Sequence, residues 1–242
     1  MTHLIQRKVH GTFIHTAHNK VISCERKKYR FKVMKPPFWY NCIASIYDYF
    51  TVLPYQKIRL EAISKLHVES GDTVIDLGCG TGLNLEKLSQ SVGKSGIVIA
   101  VEPSQGMLKQ AKKKSESFAF NNVIFIEKSI SEYLCSDEFL KHSKSKLKII
   151  SVLVISVIPN WEDDMRALIK ALPSGSHFLM VDLFSRKKNL ASFCIDKMAQ
   201  ADTSRKSWAI LEEALPDFMI WWYKIPYYFG VRAFIARGIK HA

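Results

Sequence analysis

The run Val74-Ile75-Asp76-Leu77-Gly78-Cys79-Gly80-Thr81-Gly82 decides the fold of this chain. The apolar stretch Thr73–Leu77 predicts a buried strand, and three glycines follow it at alternate positions. Glycines in such a turn adopt conformations that other residues avoid and let a ligand approach the main chain. Asp76 precedes the first glycine by two residues, where a carboxylate would repel a pyrophosphate but attract a cationic amino group. The run therefore favours an amino-acid-derived nucleoside over a dinucleotide.

A second acid supports a nucleoside site. The next predicted strand, Gly96–Val101, ends in Glu102, about 20 residues past the glycines. An acid at the carboxyl end of this strand is placed to accept hydrogen bonds from both hydroxyls of a ribose. Two features at this spacing favour a binding site over a glycine turn with a chance acid.

Strands and helices alternate along the rest of the chain, which predicts a parallel sheet with helices on both faces. The predicted helices are 55–66, 83–92, 104–115, 161–172, 189–201 and 204–215, and the further strands are 123–126, 147–157, 177–183, 218–223 and 231–236. The last two strands are close in sequence and should form an antiparallel hairpin. The polar and basic stretch Ser136–Lys148 is predicted to be a surface loop.

Composition divides the chain in two. The formal charge is +13, and residues 1–36 carry nine Lys or Arg residues against one acid, Glu25. Lys35-Pro36-Pro37 disfavours a helix, so we expect a basic arm over 1–36 and a folded domain over 37–242, with Met34 as an alternative start. The arm is either a solvated tail or a surface that attracts nucleic acid, anionic lipid or acidic partners.

Composition also indicates the cellular compartment of the protein and the kinds of site that it can hold. The five cysteines show no CxxC spacing, which disfavours a structural zinc site and suggests a reducing compartment. No apolar stretch reaches 18 residues, so we expect no membrane span. The expected location is cytoplasmic, with peripheral contact to an anionic membrane left open because residues 220–242 are basic and aromatic.

The two motifs resemble those of a known family. VIDLGCGTGLN, followed by VIAVEPSQGMLKQA, is similar to motif I and its successor in class I methyltransferases that depend on S-adenosylmethionine (SAM). The resemblance extends from about Tyr40 to the C-terminus and is closest to the ubiquinone/menaquinone and lipid-amine methyltransferases. It implies an α/β, Rossmann-like, seven-stranded, mostly parallel sheet with a C-terminal antiparallel hairpin. It also implies SAM as cofactor, with S-adenosylhomocysteine as product.

The resemblance implies a set of cofactor contacts. Asp76 and Gly78 would frame the methionine part, and Glu102 would hold the ribose, whereas Cys79 is expected to pack within the turn. Ser129 stands where the family usually has an Asp near the adenine amine. The full set implied by the resemblance is Tyr47, Asp76, Gly78, Cys79, Gly80, Gly82, Glu102, Pro103, Ser104, Met107, Ser129, Ile130, Ile155 and Ser156.

Methyl transfer from an activated sulfonium requires alignment of acceptor, methyl and sulfur more than it requires a metal or a covalent nucleophile. Asp182 ends a predicted strand and is the candidate catalytic residue, as a polar contact to the acceptor, with a helix cap or an ion pair as the structural alternative. His142 and His177 are weaker candidates for a base.

The acceptor is the open part of the prediction. We expect a small molecule or lipid, with an amine as the methylated group. A quinone-type ring carbon or oxygen, a nucleic acid, and a SAM-binding protein without turnover are the alternatives.

Overall fold

One seven-stranded sheet organises the part of the chain that this computed structural model describes, residues 55–119, 121–225 and 229–241. The strands are β1 (Thr73–Leu77), β2 (Ile97–Val101), β3 (Val123–Ile126), β4 (Lys148–Val152), β5 (His177–Ser185), β6 (Met219–Lys224) and β7 (Val231–Ile239). Their order is β3-β2-β1-β4-β5-β7-β6, with β7 antiparallel to both of its neighbours and the other pairings parallel. The predicted fold class is therefore confirmed.

Helices connect the strands. They are α1 (residues 55–65), α2 (Leu85–Val92), α3 (Gln105–Ser115), α4 (Ile130–Leu134), α5 (Asp137–His142), α6 (Trp161–Ala171), α7 (Leu190–Ala199) and α8 (Ala209–Ala214). The central strands are apolar on both faces because helices cover both sides, and Val74, Ile99 and Ile150 are wholly buried. Since the strands before β6 are parallel, their carboxyl ends meet at one edge of the sheet, where ligands bind in folds of this kind.

The strand predicted over 147–157 is shorter than expected. β4 ends at Val152 because Leu153 adopts a left-handed backbone with φ of 60°, and a single 3-10 turn follows at Ile155–Val157. An apolar run does not reveal such a break, because the contacts that hold the turn come from distant parts of the chain.

Two further predictions were wrong in detail. Ser136–Lys148 is not all loop, since Ser136 caps α5 and its hydroxyl accepts a hydrogen bond from the amide of Phe139, a fully buried side chain. The helix predicted over 204–215 covers only Ala209–Ala214. Arg205 lies outside it, and its guanidinium donates to the carbonyls of Ile155 and Ile158 in the turn after β4.

Some predictions concern residues outside the described ranges. The basic arm over 1–36, its boundary with a domain over 37–242, and the contact predicted for Tyr47 all stay predictions. Among the described residues, no helix is long and apolar enough to cross a membrane.

Candidate active site

The glycine turn after β1 is held by its neighbour strand. The amides of Gly78 and Cys79 both donate to the carbonyl of Val101, at 2.8 and 3.1 Å, so the turn is fixed to the end of β2. Gly78, Gly80 and Gly82 have φ values of 69°, 55° and 83°, in the left-handed region that favours glycine. The loop geometry predicted from the motif is therefore present.

The glycines of the turn have different surroundings. A Cβ atom on Gly78 would lie 2.5 Å from a methyl of Val154, and one on Gly82 would lie 3.0 Å from Ala111. A Cβ on Gly80 would have no atom of the described residues within 4 Å, its chain neighbours apart. Gly78 and Gly82 are therefore required for packing inside the chain, whereas the described part of the chain leaves space beside Gly80 that a ligand can fill.

Glu102 joins the two motifs. Its carboxylate accepts hydrogen bonds from the amide of Gly80, at 3.1 Å, and from the amide of Ser104, at 2.8 Å. Burial raises the pKa of Glu102 to about 7, and the negative Asp76 nearby adds to the rise. A carboxylate can accept about four hydrogen bonds, so these two backbone donors leave acceptor positions for other donors.

Asp76 belongs to a buried polar network. It is fully buried, and the side-chain amide nitrogen of Asn84 donates to its two oxygens at 3.2 and 3.1 Å. The guanidinium of Arg59 donates to the side-chain oxygen Oδ1 of Asn84 at 3.1 Å. Burial raises the pKa of Asp76 to about 7. The predicted contact between Asp76 and a cationic amino group stays a prediction. Neither Asn84, the last residue of VIDLGCGTGLN, nor Arg59 is among the predicted site residues, because the hydrogen bonds that link them to the Asp76 side chain form only in the folded chain.

Asp182 holds the segment that follows β4. Its carboxylate accepts hydrogen bonds from the amide of Ser156 at 2.7 Å, the hydroxyl of Ser156 at 2.8 Å and the amide of Leu183 at 2.8 Å. The side chain is fully buried, and burial raises its pKa to about 6. This geometry supports positioning of Ser156 by Asp182, and the predicted direct contact with an acceptor stays a prediction.

The other predicted cofactor residues lie near helix starts at the same edge. Ser104 caps α3 by accepting from the amide of Met107 at 3.3 Å, and Ser129 caps α4, where it also donates to Glu132. The members of this group that are buried are Ser104, Met107, Ser129, Ile130, Ile155 and Ser156, and Pro103 is half-buried. Their contacts with adenine or methyl stay predictions.

The structure also describes the surroundings of Cys79, His142 and His177, which the sequence analysis considered as site residues. Cys79 is buried, and burial raises the pKa of its thiol well above the usual range, which fits a packing role. His142 lies 3.1 Å from the Tyr133 hydroxyl through its Nδ1 atom. His177 begins β5, so it lies at the opposite edge of the sheet from the glycine turn.

An aromatic cluster adjoins Asp182. Trp208 contacts Phe184, Trp222 and Phe234, with ring centroids 4.8, 5.0 and 5.1 Å away. Asp182 of β5 pairs with Phe234 of β7, which pairs with Trp222 of β6, so the three side chains lie side by side on one face. Trp222 is 40% exposed, and the cluster therefore presents an aromatic wall next to the carboxyl end of β5.

Comparison with known proteins identifies the family. The family model described as "Methyltransferase domain" matches residues 68–229, about two thirds of the chain. The chain belongs to the SAM-dependent methyltransferases. A second family model, for protein-L-isoaspartate(D-aspartate) O-methyltransferase, matches residues 2–129 of this methyltransferase.

Individual relatives match parts of the methyltransferase. A probable cobalt-precorrin-6B C(15)-methyltransferase of Saccharolobus solfataricus is 36% identical over 73 residues, 30% of this chain and 37% of that protein. Demethylmenaquinone methyltransferase of Oceanobacillus iheyensis is 32% identical over 74 residues, 31% of each chain. The methyltransferase thus spans about a third of the length of these relatives.

A solved structure supports the fold. The structure of phosphoethanolamine N-methyltransferase 2 of Haemonchus contortus, in complex with SAM, superposes with a TM-score of 0.64. The match covers 84% of this chain and 57% of that chain, at 11% identity.

The residues present fit SAM, which is the cofactor of this methyltransferase. Among the residues that the structure describes, none fills the space beside Gly80, and Glu102 keeps acceptor positions that suit two ribose hydroxyls. Asp76 and Glu102 place negative charge near the turn, which is favourable for a cofactor that carries an amino group and a sulfonium.

Proposed function

We propose that this methyltransferase transfers a methyl group to an amine of a small molecule or lipid, and that the apolar part of the acceptor lies along the aromatic cluster. The observation that carries the proposal is the wall formed by Phe184, Trp208, Trp222 and Phe234 beside Asp182. Such rings bind apolar groups through their faces and edges. Trp222, with two fifths of its surface exposed, would make the first contact.

The same surroundings favour an amine. SAM supplies an activated methyl, and its positive charge passes to the nitrogen that accepts it. Aromatic faces attract cations, and such contacts strengthen when water is excluded. Asp182 is ionised above about pH 6, so its buried charge adds a negative potential near Trp222 and Phe234. We therefore expect the cluster to stabilise the charge that develops on nitrogen.

Alignment of the acceptor would depend on the segment after β4. Asp182 holds Ser156 with two hydrogen bonds, and Arg205 holds the carbonyls of Ile155 and Ile158. We propose that SAM lies between this segment and the glycine turn, with its ribose on Glu102. Fixing reactants in line can supply about 7–11 kcal/mol of the barrier reduction. Asp182 and Arg205 would then be positioning residues.

A ring carbon is the second candidate acceptor. Two relatives are named for quinone and corrinoid methylation, one a demethylmenaquinone methyltransferase and one a C(15)-methyltransferase. An aromatic wall would also bind a planar ring. The two candidates differ in the atom that receives the methyl, and mass spectrometry of the product separates them.

The test uses methyl-labelled SAM and the full-length protein with fractionated cell extract. We compare the wild type with Trp222→Leu and with the matched control Trp221→Leu, which changes the neighbouring residue on the opposite face of β6. Loss of an aromatic contact should raise the acceptor KM of Trp222→Leu by about two- to tenfold. The control should keep the KM of the wild type.

The labelled product decides between the candidates. Label on the nitrogen of an organic-soluble or small aqueous amine supports the proposal. Label on a ring carbon favours the quinone-type alternative, and label in RNA or protein contradicts both. An equal rise of KM in both Trp variants would contradict the role given to the aromatic wall.

A further inference from the structure

Helix α7 exposes apolar side chains on its outer side. Leu190, Phe193 and Met198 are 79%, 54% and 66% exposed, whereas Ala191 and Ile195 of the same helix pack against the core. At 100° per residue, the three exposed residues fall within one sector of the helix surface. A surface helix of a globular protein usually has the opposite arrangement, with polar residues outside. The outer side of α7 therefore has the character of a contact surface.

A neighbouring turn extends this surface. The side-chain amide of Asn189, the residue just before Leu190, donates to the carbonyl of Phe229 at 2.9 Å. The hydroxyl of Ser185 donates to the carbonyl of Gly230, the residue just before β7, at 3.3 Å. Phe229 is 88% exposed. We call the exposed set of Leu190, Phe193, Met198 and Phe229 the α7 face.

Basic residues precede and follow the apolar residues of the α7 face. Residues 186–199 contain four Lys or Arg residues and one acid, Asp196, and Lys188 pairs with Asp196 at 3.0 Å and with Asp202 at 3.7 Å. Arg186 and Lys187 are exposed just before the helix, and the ammonium of Lys197 lies 5.8 Å from the ring centroid of Phe193. The apolar centre thus has a rim with a net positive charge.

We infer that the α7 face docks the methyltransferase on an anionic lipid surface. Apolar side chains ringed by Lys and Arg are the pattern by which helices insert into the interface of a bilayer and bind acidic head groups. A second copy of the chain would bring two positive rims together, and a nucleic acid offers little to four apolar side chains. The inference is independent of which acceptor is methylated.

The α7 face lies close in the chain to the strand that carries the predicted acceptor residues. Helix α7 follows the carboxyl end of β5, the strand that carries Asp182 and Phe184. Docking through α7 would bring the carboxyl edge of the sheet near the lipid surface. An apolar acceptor could then reach the site from the bilayer.

The test is co-sedimentation of the full-length protein with vesicles. Vesicles of phosphatidylcholine with phosphatidylglycerol are compared with vesicles of phosphatidylcholine alone. Phe193→Asp and Phe229→Asp are the test variants. Leu60→Asp and Ile124→Asp are matched controls, because these residues are 49% and 41% exposed but lie on α1 and β3.

We expect the wild type to bind the anionic vesicles, and each test variant to bind them at least tenfold more weakly. The control variants should stay within twofold of the wild type. Sedimentation velocity and thermal unfolding are measured on each protein without lipid.

Four results would overturn the inference. These are unchanged vesicle binding by the test variants, equal binding to both kinds of vesicle, a wild-type dimer that the test variants dissociate, and a large fall in melting temperature in the test variants alone. The dimer would assign the α7 face to a second copy, and the fall in melting temperature would assign it to packing within the chain.

Discussion

Glu102 shows how one side chain can serve both the fold and the cofactor. Its carboxylate anchors the glycine turn through Gly80 and the start of α3 through Ser104. Burial opposes its charge and raises its pKa to about 7, whereas each further hydrogen bond to the ionised form would lower the pKa again. Ribose hydroxyls would be such donors, so binding of the cofactor and ionisation of Glu102 should favour each other.

This coupling predicts that SAM affinity depends on pH. Because the ionised carboxylate accepts more hydrogen bonds, affinity should fall as the pH drops from 8 through 7 to 6, by up to about tenfold per unit below the pKa. Titration calorimetry across this range measures the effect. Glu102→Gln should bind more weakly at pH 8 and show a shallower slope, with the remaining slope due to Asp76. An equal slope in wild type and variant would contradict the assignment.

Gly78 and Gly80 provide a matched pair of substitutions. Alanine at either position is strained, at a cost of about 1–2 kcal/mol, because φ is positive. Gly78→Ala should lose further stability, since its new methyl would meet Val154, whereas Gly80→Ala should mainly lose SAM binding. Urea unfolding and titration calorimetry measure the two quantities. Strong SAM binding by folded Gly80→Ala would show that the open space beside it is not the cofactor site.

At the scale of elements, the sequence best predicts the bounds of those strands that are set by a local pattern of residues. β1 and β3 have the predicted bounds because apolar runs next to turn residues define buried strands. The end of β4 was missed because distant groups hold it, Asp182 through Ser156 and Arg205 through Ile158. The site follows the same rule. Its glycines and acids lie in two short motifs that can be recognised from sequence, whereas the hydrogen bonds that Asn84 makes with Asp76 and Arg59 form only when the chain folds.

Helix α5 was missed because six residues are too few to show a helical period. Its signals are a cap at Ser136, acids in the first turn and Lys141 and His142 in the last, which complement the helix dipole. Its tertiary anchor is Phe139, whose buried ring meets Tyr133 edge to face at 5.5 Å.

Phe139→Ala should therefore strongly destabilise the folded protein. Removal of a fully buried Phe is expected to lower the free energy of unfolding by about 3–5 kcal/mol. The control is Leu140→Ala, because Leu140 is the half-buried neighbour of Phe139 in α5. This substitution should lower the free energy of unfolding clearly less. Urea denaturation gives both values. Similar losses in the two variants would mean that α5 is not anchored through Phe139.

At the scale of the whole molecule, charge is distributed unevenly. The net charge of +13 owes much to residues 1–36, whereas the described candidates for cofactor contacts lie between Asp76 and Ser156. The isoaspartate family model, however, matches from residue 2 onward. The arm is therefore either a separate charged segment or an integral part of the domain.

Deletion of residues 1–36 distinguishes these cases. If the arm is separate, the shortened protein should keep its melting temperature and bind SAM within twofold of the wild type. Its adsorption to anionic surfaces should depend less on salt, because fewer charges are screened. The melting temperature is measured by thermal unfolding and the SAM affinity by titration calorimetry. Vesicle binding is measured between about 50 and 500 mM salt, because this range moves the electrostatic screening length across roughly 10 Å. Loss of folding would make the arm part of the domain.

The position of β7 has a consequence for folding. Among the described strands, β6 pairs with β7 alone, and β7 lies between β5 and β6 although it follows both in the sequence. During folding, β6 and the free edge of β5 lack a partner strand in the interval before β7 pairs with them. In that interval two unpaired strand edges are open to other chains. The aromatic wall, which takes residues from β5, β6 and β7, therefore needs β7 to be in place, whereas β1, β2 and β3 pair without it.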